Sequence, residues 1–279
     1  MNGRYEFKYA LPLSCRSDLV ELVLPHIKAD KHGEKIKGNV SGYTVHSLYF
    51  DTPKLSDYFD RLSEKRVRNR MRIRTYGKPG DDRPVFLENK RKKFDRVIKH
   101  RVRICSANQW HACSTKQDRW RTWKKDITGN GIYAYQDFDQ LVAEGRRMPV
   151  SVVHYEREVY VGKSETQRVR FTIDRNVRAT VTPKTPNLFA PADVELIPAD
   201  WMVVEMKFDA DRPKWMRNIC RQLNLRAVPV SKFALSVMRG FRHHADNEVR
   251  YFTPRPLRSR SMPPSTVASS NQPAMMSAH

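Results

Sequence analysis

Strand-like segments of this chain repeatedly alternate apolar side chains with charged ones, and the charge is mostly positive. Arg4, Glu6 and Lys8 alternate with Tyr5, Phe7 and Tyr9. Arg70, Arg72 and Arg74 alternate with Met71 and Ile73, and Glu88, Lys90 and Lys92 share a parity opposite Val85 and Leu87. Lys99, Arg101 and Arg103 follow the same rule, as do Arg168 and Arg170 opposite Val169 and Phe171, and Glu205 and Lys207 opposite Val204, Met206 and Phe208. Side chains of a strand point to opposite faces in turn, so each charged set lies on one face. One such strand would read as an ordinary solvated face. Repetition in strand after strand predicts a sheet with one apolar and one cationic face.

If that sheet closes with its apolar face outward under helices, the cations line a tunnel. Roughly ten cations so confined would repel one another by several kcal/mol without an anion among them. A linear phosphate chain suits such a site, because Arg offers a planar fork to phosphate oxygens and Lys a point charge. The acids Glu6, Glu88 and Glu205 would then be metal ligands or partners that position lysines. Mg²⁺ and Mn²⁺ take oxygen ligands and commonly bridge phosphates to one or two carboxylates. Pattern alone leaves a second partner open, a nucleic acid stacked on Tyr5, Phe7, Tyr9, Tyr49 and Phe50.

Further strands are expected over Thr44 to Phe50, Val152 to Val161 and Val177 to Val181. Helices are expected from a Ser14 cap to Ile27, from Leu55 to Lys65, from Pro213 to Leu223 and from Phe233 to Phe241. The Trp- and Lys-rich stretch from Ala107 to Met148 gives only a weak helix over Phe138 to Gly145. Many strands with helices near the ends predict an α+β fold. From Asp246 the chain turns to Pro, Ser and Arg without apolar periodicity, so residues 246–279 are expected to form a disordered basic tail after a domain over 1–245.

Lys and Arg total 52 against 30 Asp and Glu, a formal charge of +22, which calls for a polyanionic partner. Cys15, Cys105, Cys113 and Cys220 show no CxxC or zinc spacing and read as reduced and cytoplasmic. The opening Arg4-Tyr5-Glu6-Phe7-Lys8 has no apolar core of a signal peptide, and no stretch is apolar enough to span a bilayer. No P-loop motif is present.

Seven ordered motifs resemble the VTC domain, the catalytic domain of the vacuolar transporter chaperone polyphosphate polymerases in the CYTH-like, triphosphate tunnel metalloenzyme superfamily. They are Arg4-Tyr5-Glu6-Phe7-Lys8-Tyr9, Ser47-Leu48-Tyr49-Phe50-Asp51-Thr52-Pro53, Met71-Arg72-Ile73-Arg74-Thr75-Tyr76-Gly77, Phe86-Leu87-Glu88-Asn89-Lys90-Arg91, Arg168-Val169-Arg170-Phe171-Thr172-Ile173-Asp174, Val204-Glu205-Met206-Lys207 and Val230-Ser231-Lys232-Phe233. The resemblance implies an eight-stranded antiparallel barrel tunnel with flanking helices. It implies transfer of the terminal phosphoryl group of ATP onto polyphosphate with Mn²⁺ or Mg²⁺. Lys8, Arg72, Arg74, Lys90, Arg170 and Lys232 would contact phosphates, and Lys99, Arg101, Arg168 and Lys207 would extend the path. Glu205, with Glu88 and Glu6, would hold the metal. The resemblance implies no dedicated nucleic-acid site and is compatible with a membrane-protein partner.

Two departures qualify it. Superfamily hydrolases and cyclases open with Glu-x-Glu-x-Lys, whereas Arg4 stands at the first Glu, which fits the polymerase-like branch. The eukaryotic polymerase pattern ends near Lys-Phe-Ser-Lys, whereas Ala234-Leu235 follows Lys232-Phe233. A tripolyphosphatase or nucleoside triphosphatase, and a non-catalytic polyphosphate-binding module, are the alternatives.

Overall fold

The computed structural model describes residues 4–36, 40–94, 96–113, 119–164, 168–181, 187–209 and 211–242. The expected tail lies outside the described residues. The strands are β1 (Arg4–Pro12), β2 (Ile27–Ala29), β3 (Glu34–Ile36), β4 (Val40–Asp51), β5 (Val67–Arg68), β6 (Met71–Tyr76), β7 (Pro84–Lys93), β8 (Arg96–Ser106), β9 (Met148–Gly162), β10 (Arg170–Val181), β11 (Val194–Glu195) and β12 (Trp201–Asp209). The helices are α1 (Arg16–Val23), α2 (Ser56–Leu62), α3 (Ala107–Ala112), α4 (Gly131–Gly145), α5 (Lys214–Gln222) and α6 (Lys232–Arg242). This is the expected α+β class.

The long strands form one antiparallel sheet in the order β1-β12-β10-β9-β4-β6-β7-β8, and short β2, β3, β5 and β11 pair along its margins. Each strand read from the alternation is present. The two segments expected on either side of Asn176 are one strand, β10, whose register against β9 shifts between Arg175 and Arg178. Asn176 sits there at φ 51, so a bulge lies where the pattern suggested a break.

The apolar parity packs under helices, as expected. Met71, Ile73, Val85, Leu87, Val102 and Ile104 meet Trp110, Trp120, Trp123 and Phe138 from α3, the 3-10 helix Arg119–Asp126 and α4. On the other half, Leu11, Phe171, Ile173, Val204 and Met206 meet Leu19 and Val23 of α1 and Met216 and Ile219 of α5. Burying each large side chain contributes about 1.5–3 kcal/mol, so these two layers fix which face turns outward. A third cluster sits on the opposite parity. Val45, Tyr49, Val153, Tyr155 and Val203 pack against Phe233, Leu235 and Val237 of α6, so α6 covers part of the charged face.

The expected closed barrel is not present: the sheet is open, and no backbone pairing among the described residues joins β1 to β8. The physical reason lies at the edge of β1. The Val228 N–H donates to the Lys8 carbonyl at 2.8 Å, and the Lys8 ammonium donates to the Val230 carbonyl at 3.1 Å. The segment before α6 thus takes edge groups that closure would need. The sheet still curls far enough for Glu6 of β1 to reach Lys90 of β7 at 3.5 Å.

Helix boundaries differ in two places. A 3-10 turn, Leu13–Cys15, precedes α1, so Ser14 is not its cap and the helix stops at Val23. The Ala107–Met148 stretch holds α3, capped by Ser106 and Gln109, and the full-length α4. Among the described residues no helix is long and apolar enough to cross a membrane.

Candidate functional site

Strand register, rather than loop geometry, assembles the charged face. In the sheet Glu6 lies opposite Lys207 and Lys8 opposite Glu205. Arg157 lies opposite Asp174, Arg72 opposite Tyr49 and Glu88, and Glu88 opposite Arg101. Opposed side chains of antiparallel strands meet at roughly 5 Å between Cβ atoms, which places each acid among cations.

Three acid-centred nests result. In the first, Glu6 pairs with Lys8 at 3.0 Å, Lys207 at 3.4 Å and Lys90 at 3.5 Å. Glu205 pairs with Lys207 and lies 3.8 Å from Arg157. Burial and the neighbouring Glu205 both oppose charge on Glu6, yet Lys8, Lys207 and Lys90 hold its carboxyl at about 2. Burial likewise opposes charge on Glu205, and Lys207, Lys8 and Arg157 hold it well below the usual range.

In the second nest, Glu88 accepts from Arg72 at 2.6 Å and lies 3.2 Å from both Lys99 and Arg101. Burial opposes its ionisation, but those cations and Arg74 hold it far below an ordinary carboxylate. In the third, Asp174 accepts two bonds from Arg157, at 2.6 and 2.7 Å, and one from Lys232 at 2.6 Å. Asp174 is fully buried.

Phenols link the nests. Arg72 donates to the Tyr49 hydroxyl at 3.3 Å, Arg74 to Tyr155 at 3.2 Å, Arg101 to Tyr76 at 3.1 Å and Arg170 to Tyr43 at 3.0 Å. Arg74 also donates to Ser47 at 2.9 Å. Burial raises the Tyr49 phenol, but Arg72, Arg74 and Arg70 outweigh it and pull the phenol down to about 8.

Cations outnumber acids here. The Arg70 guanidinium makes no hydrogen bond or ion pair among the described residues; burial, followed by repulsion from Arg72 and Arg61 despite Tyr49, lowers its pKa. Lys90 is lowered by burial and by Arg70, Lys207 and Lys8, against the pull of Glu6. Lys99 is lowered by burial, Arg72 and Arg101, against Glu88. Arg72, Arg74, Arg157 and Lys232 are shifted the other way, held protonated by acids and phenols beside them against burial.

The expected residues Lys8, Arg72, Arg74, Lys90, Lys99, Arg101, Arg170, Lys207 and Lys232 therefore meet in one network. Arg168 does not join it: it lies ahead of β10 and is exposed. Sequence reasoning missed Arg157, Asp174, Tyr43, Tyr76 and Tyr155, and took Tyr49 only as a base-stacking candidate. Tyr155 and Arg157 share the parity of the charged face, a signal present in the alternation of β9.

The three acids expected at a metal do not converge. Glu6 and Glu205 are close enough to repel, whereas Glu88 is held apart by Arg72, Lys99 and Arg101. No group of three metal-ligating side chains occurs among the described residues. Two neighbouring carboxylates fit a hard divalent ion that takes its remaining oxygens from phosphate and water.

A model of the VTC domain matches residues 3–240 of this sequence. The chain belongs to the VTC domain family. Membership supports a fold that handles polyphosphate or triphosphate. No curated protein matches this VTC chain. Among solved structures, a Bacillus halodurans protein described as a candidate adenylate cyclase aligns at a TM-score of 0.42 and 9% identity, over 82% of this chain and 95% of that one. A likeness at that score carries no argument.

Proposed function

We propose that this VTC chain moves the terminal phosphoryl group of ATP onto a growing polyphosphate chain along the charged face, with Mn²⁺ or Mg²⁺. The observation that supports it is the excess of positive charge: Glu88 is shared by Arg72, Lys99 and Arg101, and Glu6 by Lys8, Lys90 and Lys207. A chain of phosphates relieves that repulsion along the length of several strands.

Lys8, Arg72, Arg74, Lys90, Arg170 and Lys232 would contact phosphate oxygens, and Lys99, Arg101 and Lys207 would lengthen the track. Arg168 would serve only a chain leaving past the start of β10. An oxygen of the acceptor's terminal phosphate forms the new bond to the γ-phosphorus as the bond to the ADP oxygen breaks, and ADP leaves. That nucleophile is already ionised at neutral pH, so no protein base is required. The cations orient both partners and neutralise charge on the transferring group. Glu6 and Glu205 would hold the metal, which would supply positive charge to neutralise phosphate.

A second reading, a polyphosphate-binding module without turnover, is favoured by one observation. Glu6, Glu88, Asp174 and Glu205 are all already engaged by cations. The test is incubation with ATP and Mn²⁺, reading long polyphosphate on a gel and free phosphate in solution. Polymer supports the polymerase. Phosphate without polymer indicates a hydrolase, and neither product together with tight tripolyphosphate binding indicates the module.

A further inference from the structure

The tip of the β7–β8 hairpin exposes apolar side chains that the core does not use. Val67, Phe94, Val97 and Ile98 are 46%, 54%, 52% and 43% exposed. Register sets Val67, opposite Lys93, and Ile98, opposite Arg91, on one face of the ribbon and Val97, opposite Lys92, on the other, with Phe94 at the end between them. The Phe94 N–H donates to the Arg66 carbonyl at 2.8 Å, which ties the tip to β5.

The turn itself is unusual. Lys93 pairs with Arg96, and Phe94 beside that pair takes φ 56. Hairpin positions with positive φ favour Gly, Asn or Asp. A bulky residue there is costly, and an exposed Phe gains no core packing in return.

Cations outnumber the one acid, Asp95, between Arg91 and Lys99: Lys92 and Lys93 face Val97 and Val67 directly, and exposed Arg66 adjoins Phe94. Protein interfaces deplete lysine at their centres, which disfavours a partner protein or a second copy. Apolar knobs ringed by Lys and Arg suit a bilayer surface, where the knobs enter the headgroup–acyl boundary and the cations meet anionic headgroups. We propose that the β7–β8 tip docks this protein on membranes rich in anionic lipid. The inference does not rest on the polymerase reading.

The test uses the full chain and sedimentation with vesicles of phosphatidylcholine alone or mixed with phosphatidylglycerol, in saturating tripolyphosphate so that the charged face is occupied. Expected is binding to the mixed vesicles only, weakened at least tenfold by combined Phe94→Ser, Val97→Ser and Ile98→Ser. That variant should keep the wild-type melting temperature and tripolyphosphate affinity. A separate Val97→Trp variant should show a blue-shifted emission on the mixed vesicles. Three results would overturn the proposal: vesicle binding unchanged in the serine variant, no blue shift for Val97→Trp, or self-association abolished by the serine variant with no vesicle binding by wild type.

Discussion

The Glu6 carboxylate on edge strand β1 lies 3.5 Å from the Lys90 ammonium on β7, six strands away along an open sheet. The contact holds the curl of the charged face and also spends negative charge on cations a phosphate chain would use. Glu6→Gln is therefore expected to release Lys8, Lys90 and Lys207 and to tighten metal-free tripolyphosphate binding several-fold. Because Glu6 is partly exposed, stability should fall by only about 1 kcal/mol. Calorimetric titration without metal checks this; weaker binding would assign Glu6 to positioning the lysines.

The acids of the face also set its response to acid. Glu6 is held at about 2, and Glu88, Asp174 and Glu205 are held below their usual values. A carboxyl whose folded-state pKa is depressed stabilises the fold above its ordinary value near 4.5, and that contribution is lost as pH falls toward the folded value. The stability these four acids supply should persist down to about pH 5 and then drop steeply toward pH 3. Melts across that range, with Glu88→Gln as the comparison, give the test: the variant should start lower and lose less.

Asp174 is the most exacting of these groups, because it sits buried between Arg157 and Lys232. Asp174→Asn strands Lys232, leaves Arg157 only the Glu205 carboxylate at 3.8 Å, and should cost roughly 3–5 kcal/mol, whereas Lys232→Met leaves the bidentate Arg157 pair and should cost less. Adding Lys232→Met to Asp174→Asn should recover part of the loss. Urea denaturation of the three variants reads the coupling, and simple additivity would refute it.

Arg157 and Asp174 show where the sequence stops being legible. Arg70 to Arg74 and Lys99 to Arg103 declare a cationic face through their spacing alone. Arg157 is a single cation between Glu156 and Glu158, and Asp174 a single acid within its strand, so neither forms a run. What makes them partners is that β9 and β10 are neighbours in a register that sets the two residues opposite each other. Pairing order is a long-range property, and alternation reports only faces. The open edge of β1 was hidden for the same reason, since it depends on where residues 228–230 return. The Ala107–Met148 stretch was obscured locally: a 3-10 helix carrying Trp120 and Trp123 breaks the helical period before α4 begins.

Tyr49 offers a spectroscopic handle on the site. Its phenol is held at about 8 by Arg72, Arg74 and Arg70 against the effect of burial. A depressed phenol pKa means the folded state favours the phenolate, so stability should rise between about pH 8 and pH 10 as the charge develops. Ultraviolet titration should show one tyrosinate forming near 8 that is absent in Tyr49→Phe. Saturating tripolyphosphate should move that titration upward, because phosphate neutralises the same guanidiniums. A titration indifferent to tripolyphosphate would place the phosphates elsewhere.

Arg72 links two parts of this network, touching both Glu88 and Tyr49. Its removal is structurally tolerable, since Glu88 keeps Lys99 and Arg101 at 3.2 Å. Arg72→Ala should therefore fold, with a melting temperature that falls by a few degrees at most. Loss of a charge stabiliser on a transferring group typically costs about 10²–10³-fold in turnover, and that loss is expected here in polyphosphate synthesis from ATP. Lys90→Ala should lose turnover comparably, because on the proposed path Lys90 would face the same phosphates from β7, while its own partner Glu6 keeps Lys8 and Lys207. Gel analysis of polymer, run beside thermal melts, separates loss of chemistry from loss of fold. Full turnover in both variants would remove Arg72 and Lys90 from the proposed phosphate path.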